Sequence, residues 1–162
     1  MRLVEGFVPG GIGAVAAMHG TYYAREWRLA VGFEATVARD LGAFALRLTS
    51  RDLALLALEG DVVRASLFVD SEPGPRFAGG RLRWIIADDG CRGTGVGKRM
   101  MDRAMEHIDT VFGGAAWLTT FGGLDAARSL YERHGFRLTG EERSDALGVP
   151  LDVQTFARGR HA

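Results

Sequence analysis

A glycine-rich heptapeptide, residues 92–98 with the sequence Arg-Gly-Thr-Gly-Val-Gly-Lys, constrains the fold of this chain more than any other stretch. Residues 82–87, which lie shortly before it, are mostly apolar and include β-branched and aromatic types, which predicts a strand. After it, apolar residues recur every three or four positions over 96–108, which predicts a helix. The three glycines then form a turn that can take positive φ and approach a ligand closely. Free amides, the helix dipole and Lys98 make such a turn a cradle for phosphate or pyrophosphate.

Two common phosphate-binding loops do not fit this stretch. A Walker loop requires a glycine five residues before the Gly-Lys pair and a hydroxyl residue after it, but those positions hold Arg92 and Arg99. The dinucleotide fingerprint requires a third glycine three residues after the second, where this chain has Lys98 or Met100. The remaining pattern is Arg-x-x-Gly-x-Gly between a strand and a helix.

A second informative segment lies about thirty residues further along the chain. Residues 115–120 are predicted to form a strand, and residues 124–136 a helix closed by Gly135 at the C′ position. This helix carries Ala127, Tyr131 and the pair Gly135-Phe136 in an Ala-x-x-x-Tyr-x-x-x-Gly-Phe pattern. Loop and segment together resemble the GNAT superfamily of acyl-CoA-dependent N-acyltransferases, whose pyrophosphate loop is Gln/Arg-x-x-Gly-x-Gly/Ala. Residues 118–128 look most like the acetyltransferase half of MarR-type regulator–acetyltransferase fusion proteins.

The resemblance implies an α/β (α+β) fold with a mixed, mostly antiparallel sheet of six to seven strands. Helices would cover both faces, and the strand ending at Ala87 and the strand at Ala115 would splay apart. The predicted order agrees: a strand within 1–8, helices over 12–27 and 33–46 joined by a turn at 25–34, and strands over 53–58, 62–69 and 81–87. Residues 139–145 are predicted to be a loop or the start of a broken strand, 151–156 a strand, and 158–162 an exposed mobile tail. A chain of 162 residues suggests a single domain, 1–162.

The resemblance also implies acetyl-CoA as the cofactor, with its diphosphate on the glycine loop and its pantetheine arm along the end of the strand. The cofactor-binding residues that it implies are Ile85, Ile86, Ala87, Arg92, Gly93, Thr94, Gly95, Val96, Gly97, Lys98, Asp125, Ala127 and Tyr131. One departure is visible. Many family members have Asn at the position of Leu124, where it bonds the pantetheine arm, and leucine cannot make that bond.

The helix pair of the N-terminal third walls the acceptor pocket in this family. The substrate-binding residues implied are Tyr22, Tyr23, Glu26, Trp27, Phe33 and Phe121. The alternative is that these aromatic residues, at helical spacing, belong to the core.

The chemistry requires a base and an acid. A lysine-like ammonium, with a pKa of ~10.4, is only about 0.04% neutral at pH 7, so a group must take its proton, and we expect Glu34 to do so. Tyr131 would lie near the sulfur and donate late to the leaving thiolate, since a phenol is a weaker acid than a thiol. The alternative is that Tyr131 only packs. A backbone amide near Ile86 would polarise the carbonyl.

The composition narrows the partners. Twenty basic and twenty acidic residues give zero net charge, which argues against nucleic acid as the main partner. The single cysteine, Cys91, precludes an intrachain disulfide and suits a reducing cytoplasm. No apolar stretch is long enough to span a membrane, and the four histidines lack metal-ligand spacing.

The sequence therefore predicts an N-acetyltransferase that moves an acetyl group from acetyl-CoA to a primary amine by direct attack in a ternary complex. The acceptor would be a small-molecule amine or an amine of a protein or peptide, and the open sheet edges allow a homodimer. The alternative function is a non-catalytic acyl-CoA-binding sensor or interaction module.

Overall fold

The computed structural model describes residues 1–159. In chain order the elements are β1 (Arg2–Glu5), α1 (Gly11–Trp27), α2 (Val31–Leu46), β2 (Leu53–Glu59), β3 (Val62–Asp70), β4 (Gly80–Ala87), a 3₁₀ turn (Asp89–Cys91), α3 (Val96–Phe112), β5 (Ala116–Phe121), α4 (Asp125–Arg133), β6 (Arg137–Ser144) and β7 (Leu151–Arg158).

The seven strands form one sheet in the order β1-β2-β3-β4-β5-β7-β6. All neighbours are antiparallel except β4 and β5. These two pair in parallel only at Gly80 with Ala116 and at Arg81 with Trp117, and beyond that point they separate. The predicted fold class, including the splayed central pair, is confirmed.

Two hydrophobic cores lie on opposite faces of the sheet. On one face, α3 and α4 pack over side chains such as Leu55 and Leu67. On the other, α1 and α2 pack over their sequence neighbours, such as Leu56 and Phe68. Because successive side chains of a strand point to opposite faces, a strand buried on both sides must be apolar throughout. This explains the unbroken apolar run of β2 and the apolar stretch 67–69 of β3.

Helix α3 matches its predicted periodicity. Its buried residues are Val96, Met100, Met101, Ala104, Met105 and Ile108. They line one stripe against the sheet, while the other face is polar. The helix begins directly after Gly95, so its N-terminus faces the end of β4.

Three local predictions need correction. The turn predicted at 25–34 is only three residues long, because α1 continues to Trp27 and α2 starts at Val31. Residues 139–145 are mostly strand: β6 is continuous from Arg137 to Ser144. The predicted tail begins with an ordered residue, since Arg158 ends β7 and its Nη1 donates to Asp109 Oδ1 at 2.7 Å. Residues 160–162 of that tail lie outside the described residues.

Candidate active site

Strand β4 contains a bulge beyond the point where it separates from β5, while it stays paired with β3 as far as Ala87. Ser66 pairs with Ile86 and Phe68 pairs with Arg83, so two residues of β4 oppose one of β3. The first of them, Trp84, has a φ of 48°, a conformation that bulky residues rarely adopt. The Ser66 hydroxyl donates to the Trp84 carbonyl at 2.7 Å and holds this geometry. A bulge bends a strand and redirects the residues after it, and this one directs the end of β4 into the gap before β5.

A cavity of about 740 Å³ fills this gap and extends to both faces of the sheet. Elements that are far apart in sequence contribute to its lining, from α1 to β7. The sequence-predicted site residues that it brings together are Tyr22, Tyr23, Phe33, Ile85, Ile86, Ala87, Arg92, Val96, Phe121, Asp125, Ala127 and Tyr131.

The glycine loop lies beside the α3 end of the cavity and offers unbonded donors. Gly93 and Gly95 have φ angles of 72° and 74°, as the turn requires. Gly97, in contrast, lies inside the first helical turn, and a Cβ there would meet only Leu130, at 3.9 Å. Within residues 1–159, the amides of Gly93, Gly95, Gly97 and Lys98 donate to no protein acceptor. Open amides at a helix N-terminus form a site for an anion.

Two cations border the loop, and both are exposed. Lys98 Nζ lies 2.5 Å from Asp102 Oδ2, and Arg92 Nη2 lies 3.1 Å from Asp89 Oδ1. Exposed ion pairs of this kind are weak, so either side chain can turn to a phosphate at small cost.

Tyr131 lies between the two ends of the cavity. It is 4% exposed and packs against the rings of Phe136 and Phe156, with centroids 6.3 and 6.1 Å away. Its hydroxyl makes no hydrogen bond to any described residue, although the side chain lines the cavity. Burial, and secondarily the nearby Tyr23, raise the pKa of Tyr131 above its usual value. The phenol is therefore a protonated, uncommitted donor at neutral pH.

Aromatic side chains form the opposite wall. Tyr23 is at its centre and makes edge contacts with Tyr22 and Phe33, both with centroids 4.9 Å away, and with Phe121 at 5.6 Å. All four line the cavity. Burial is the main cause that raises the pKa of Tyr23 to about 12, so this wall carries no charge near neutral pH.

Three residues predicted for the acceptor side are not brought to the cavity lining. Glu26 is exposed and paired with Arg25 at 2.6 Å. Trp27 lies behind the aromatic wall and does not line the cavity. Glu34, the predicted base, is exposed, and its carboxyl group lies so close to Gly20 that a methyl group there would overlap it.

His19 lines the cavity and was not predicted from the sequence. It is 5% exposed, stacks on Tyr23 with centroids 6.2 Å apart, and its Nδ1 lies 2.9 Å from the Val15 carbonyl. Because a carbonyl can only accept, Nδ1 carries the proton, and Nε2 keeps a lone pair. Burial lowers the pKa of His19, so the ring is neutral at pH 7. Nothing in the sequence distinguishes it from the other three histidines.

Two arginines of β4, Arg81 and Arg83, also line the cavity and were not predicted. Their signal in the sequence was available: two positive charges alternate within a strand that is otherwise apolar. Such charges are rarely buried without a specific partner.

Comparisons with solved structures agree with this architecture. A ribosomal-protein-alanine N-acetyltransferase from Brucella melitensis superimposes with a TM-score of 0.73 at 14% identity, covering 97% of this chain and 98% of that one. An aminoglycoside 6′-N-acetyltransferase in complex with coenzyme A gives 0.68 at 13% identity, covering 99% and 97%. A spermidine N-acetyltransferase from Vibrio cholerae gives 0.67 at 14% identity, covering 97% and 94%. The fold is thus one that acetyltransferases adopt.

The family assignment comes from the sequence. A family model described as an acetyltransferase (GNAT) domain matches residues 50–138, more than half of the chain. This protein therefore belongs to the GNAT acetyltransferase family, and it is an N-acetyltransferase that uses acetyl-CoA. No curated protein sequence matches it. Within residues 1–159, no helix is both long and apolar enough to cross a bilayer.

Proposed function

We propose that this protein acetylates a primary amine by direct attack on acetyl-CoA in a ternary complex, with Tyr131 between the two ligands. One observation carries the proposal: a single cavity joins a loop of unbonded amides to a chamber with an aromatic wall, and a buried free phenol lies at their junction. Both ligands can occupy such a cavity together, so no covalent enzyme intermediate is needed.

The chain fits the cofactor on its α3 and α4 side. The amides of Gly93, Gly95, Gly97 and Lys98 would hold the diphosphate, with Arg92 and Thr94 beside them. The freed end of β4, residues 85–87, would pair with the pantetheine arm as an added strand does. The α4 N-terminus, with Asp125 and Ala127, would close the other side. When bound, acetyl-CoA supplies the thioester from which the acetyl group is taken.

Tyr131 would act on the leaving sulfur. A phenol of ordinary pKa is about 1.5 units weaker as an acid than a thiol, a difference of about 2 kcal/mol. Burial raises the pKa of Tyr131 further, which makes early proton transfer less favourable still. We therefore assign Tyr131 a hydrogen bond to the developing thiolate, with the proton following late. An amide at the β4 bulge, near Ile86, would polarise the acetyl carbonyl.

His19 is the better-placed base. The proton deficit of a lysine-like amine is about 4.6 kcal/mol at pH 7, so a proton acceptor in the cavity is required as the amine attacks. His19 Nε2 offers a lone pair there, while the Glu34 carboxylate lies outside the lining. His19 would take the proton released from the amine, either directly or through one water molecule.

We expect His19→Asn to lower kcat/KM by ~10²-fold and to remove an acid limb from the pH profile. Because burial lowers the pKa of His19, this limb should lie below pH ~6.5. The measurement is thiol release against pH, corrected for the fraction of neutral amine. Glu34→Gln is the matched control and should keep the limb. A wild-type profile without it, or its loss in Glu34→Gln, would contradict the assignment.

The enzymatic proposal is separated from the sensor alternative by two assays on the same sample. Acetyl-CoA at a hundredfold its Kd should stabilise the fold by about 2.7 kcal/mol, which appears as a raised Tm. An amine panel should then release free thiol at a rate proportional to enzyme. Stabilisation without thiol release from any amine would favour the sensor, and no stabilisation would refute both.

The acceptors named for the similar structures are aminoglycosides, spermidine and a ribosomal protein. We accordingly extend the proposal to small-molecule or protein amines as acceptors. The proposal also includes a cytoplasmic location, which the free Cys91 supports, and a homodimer, which the edge strands β1 and β6 support. It further includes the likeness to the acetyltransferase half of MarR-type fusion proteins.

A further inference from the structure

We propose that Arg81 binds a carboxylate of the acceptor, so that the preferred substrates are primary amines carrying a carboxylate at their far end. The inference rests on the proposed function, because it names the acceptor class for that same cavity. The inference depends on which of two arginines in β4, Arg81 or Arg83, forms ion pairs with the acidic side chains around the strand.

Arg81 and Arg83 lie two residues apart before the bulge, on the face of β4 that α1 and α2 cover. Phe68 pairs with Arg83 and belongs to the core under those helices. Because side chains two apart on a strand share a face, Arg81 points the same way. Both arginines line the cavity on its acceptor side.

Arg83 is fully committed to protein carboxylates. Its Nη1 donates to Asp70 Oδ2 at 2.8 Å, and Nη2 lies 3.9 Å from Asp40 Oδ2. Asp70 is saturated as well: Arg47 takes both of its oxygens, at 2.9 and 2.8 Å, and the Glu72 amide donates to Oδ1 at 3.0 Å. Asp70 thus has no capacity for Arg81, although the two residues are directly paired across β3 and β4.

Arg81 has no such partner. No carboxylate of residues 1–159 lies within ion-pairing distance of it, and its Nε is buried without an acceptor. Its contacts are a long hydrogen bond of 3.4 Å from Nη2 to Thr119 Oγ1 and the ring of Trp117, 4.6 Å from Cζ. A guanidinium stays charged even in this setting. Asp70, Asp40 and Glu72 favour the charge of Arg81 only from beyond contact distance, and burial, which opposes that charge, is the main cause that lowers its pKa. A ligand carboxylate in direct contact would offset the cost of this burial.

The ligand chemistry is set by the single free charge. One guanidinium presents a planar pair of donors that matches a carboxylate and its single negative charge. A phosphate would call for a second free cation, and Arg83 is occupied. The chamber between Arg81 and His19 is walled by Tyr22, Tyr23 and Phe33, which suits the apolar carbons linking the two ends of such a molecule.

The distance between the amine and the carboxylate of the substrate can be estimated from positions along β4. Arg81 reaches Thr119 on β5, near the level of Arg83, while the proposed thioester position is at Ile86. Two to three residues of strand separate these levels, or ~7–10 Å. The amine and carboxylate should therefore be several bonds apart, as in a 6-aminohexanoate, rather than on one carbon.

The test compares 6-aminohexanoate with 6-aminohexanamide, which has the same length but no charge, by thiol release at saturating acetyl-CoA. We expect kcat/KM to be at least ~10-fold higher for the acid in wild type, as a charged hydrogen-bonded pair provides. Glycine should gain much less over glycinamide. Arg81→Gln should remove the preference, and Arg81→Lys should restore only part of it.

Arg83→Gln is the matched control, on the same face of the same strand. It should lower Tm, because it breaks the pair with Asp70, yet keep the preference for the acid. Equal kcat/KM for acid and amide in wild type would overturn the inference even if no variant folded. So would a preference that survives in folded Arg81→Gln. Thiol release from neither compound nor any other amine would instead refute the proposed function.

Discussion

Replacement of Gly95 by valine should abolish acetyl-CoA binding while the chain stays folded. Gly95 precedes α3 with a φ of 74° and is flanked by the unbonded amides of the loop. A β-branched residue held at positive φ costs of order 1–3 kcal/mol, so the turn would relax toward negative φ and its amides would no longer converge. Calorimetric titration with acetyl-CoA measures the effect.

Two further variants separate the causes of this loss. Gly60→Val imposes similar strain at a φ of 60° in the β2–β3 turn, also with open space around it, and should leave binding intact. Gly97→Val places a side chain beside the cradle from a helical position without that strain, and should also abolish binding. Normal affinity in a folded Gly95→Val protein would remove the loop from the site.

Tyr131→Phe should keep the affinity for acetyl-CoA and lower kcat by ~10²-fold or more. The ring that packs against Phe136 and Phe156 is retained. The hydroxyl that is lost bonds no described residue, so stability should be nearly unchanged. The variant lacks only the donor to the leaving thiolate, which matters as the C–S bond breaks.

The readout for Tyr131→Phe is kcat from thiol release together with Kd from calorimetry. Thr110→Val serves as control, because it also removes one hydroxyl, and Thr110 lies in α3 outside the cavity lining. Its kcat should stay close to that of wild type. If Tyr131→Phe turned over at the wild-type rate, the phenol would have no part in the reaction.

The sequence predicted best those elements whose environment is uniform along their length. Helix α3 has one buried stripe, and β2 and β3 are buried on both faces, so apolar spacing alone specifies them. Strand β6 was not predicted as continuous because it is a sheet edge and its residues are exposed up to Arg143. A strand that is exposed to solvent on both faces has no pattern of apolar residues in its sequence. Strand β6 is therefore defined only by its pairing with β7.

The two sides of the active site also differ in how well the sequence predicts them. Its cofactor side is a contiguous loop and the start of a helix, so local spacing reveals it. Its acceptor side combines α1, α2, β4 and β5, whose relative positions depend on packing. The incorrect placement of Glu34 shows how sensitive such a prediction is to helix rotation. Its neighbours Phe33 and Val37 line the cavity, but one residue along a helix turns a side chain by about 100°. His19 and Arg81 gain their meaning only from neighbours that are distant in sequence.

The extra residue in β4 has a consequence for the evolution of this enzyme. It shifts the alternation of side chains along β4 by one residue. The arginines before the bulge and the cofactor-facing end after it therefore follow different alternation patterns in the sequence. Excising one residue at Trp84 or Ile85 would restore a regular ladder with β3 and relieve the unusual backbone. The product should be a better-ordered sheet with no working catalyst, since β4 would lose the bend that directs its end into the gap before β5. Selection for stability alone would therefore erode this enzyme at a single, identifiable point.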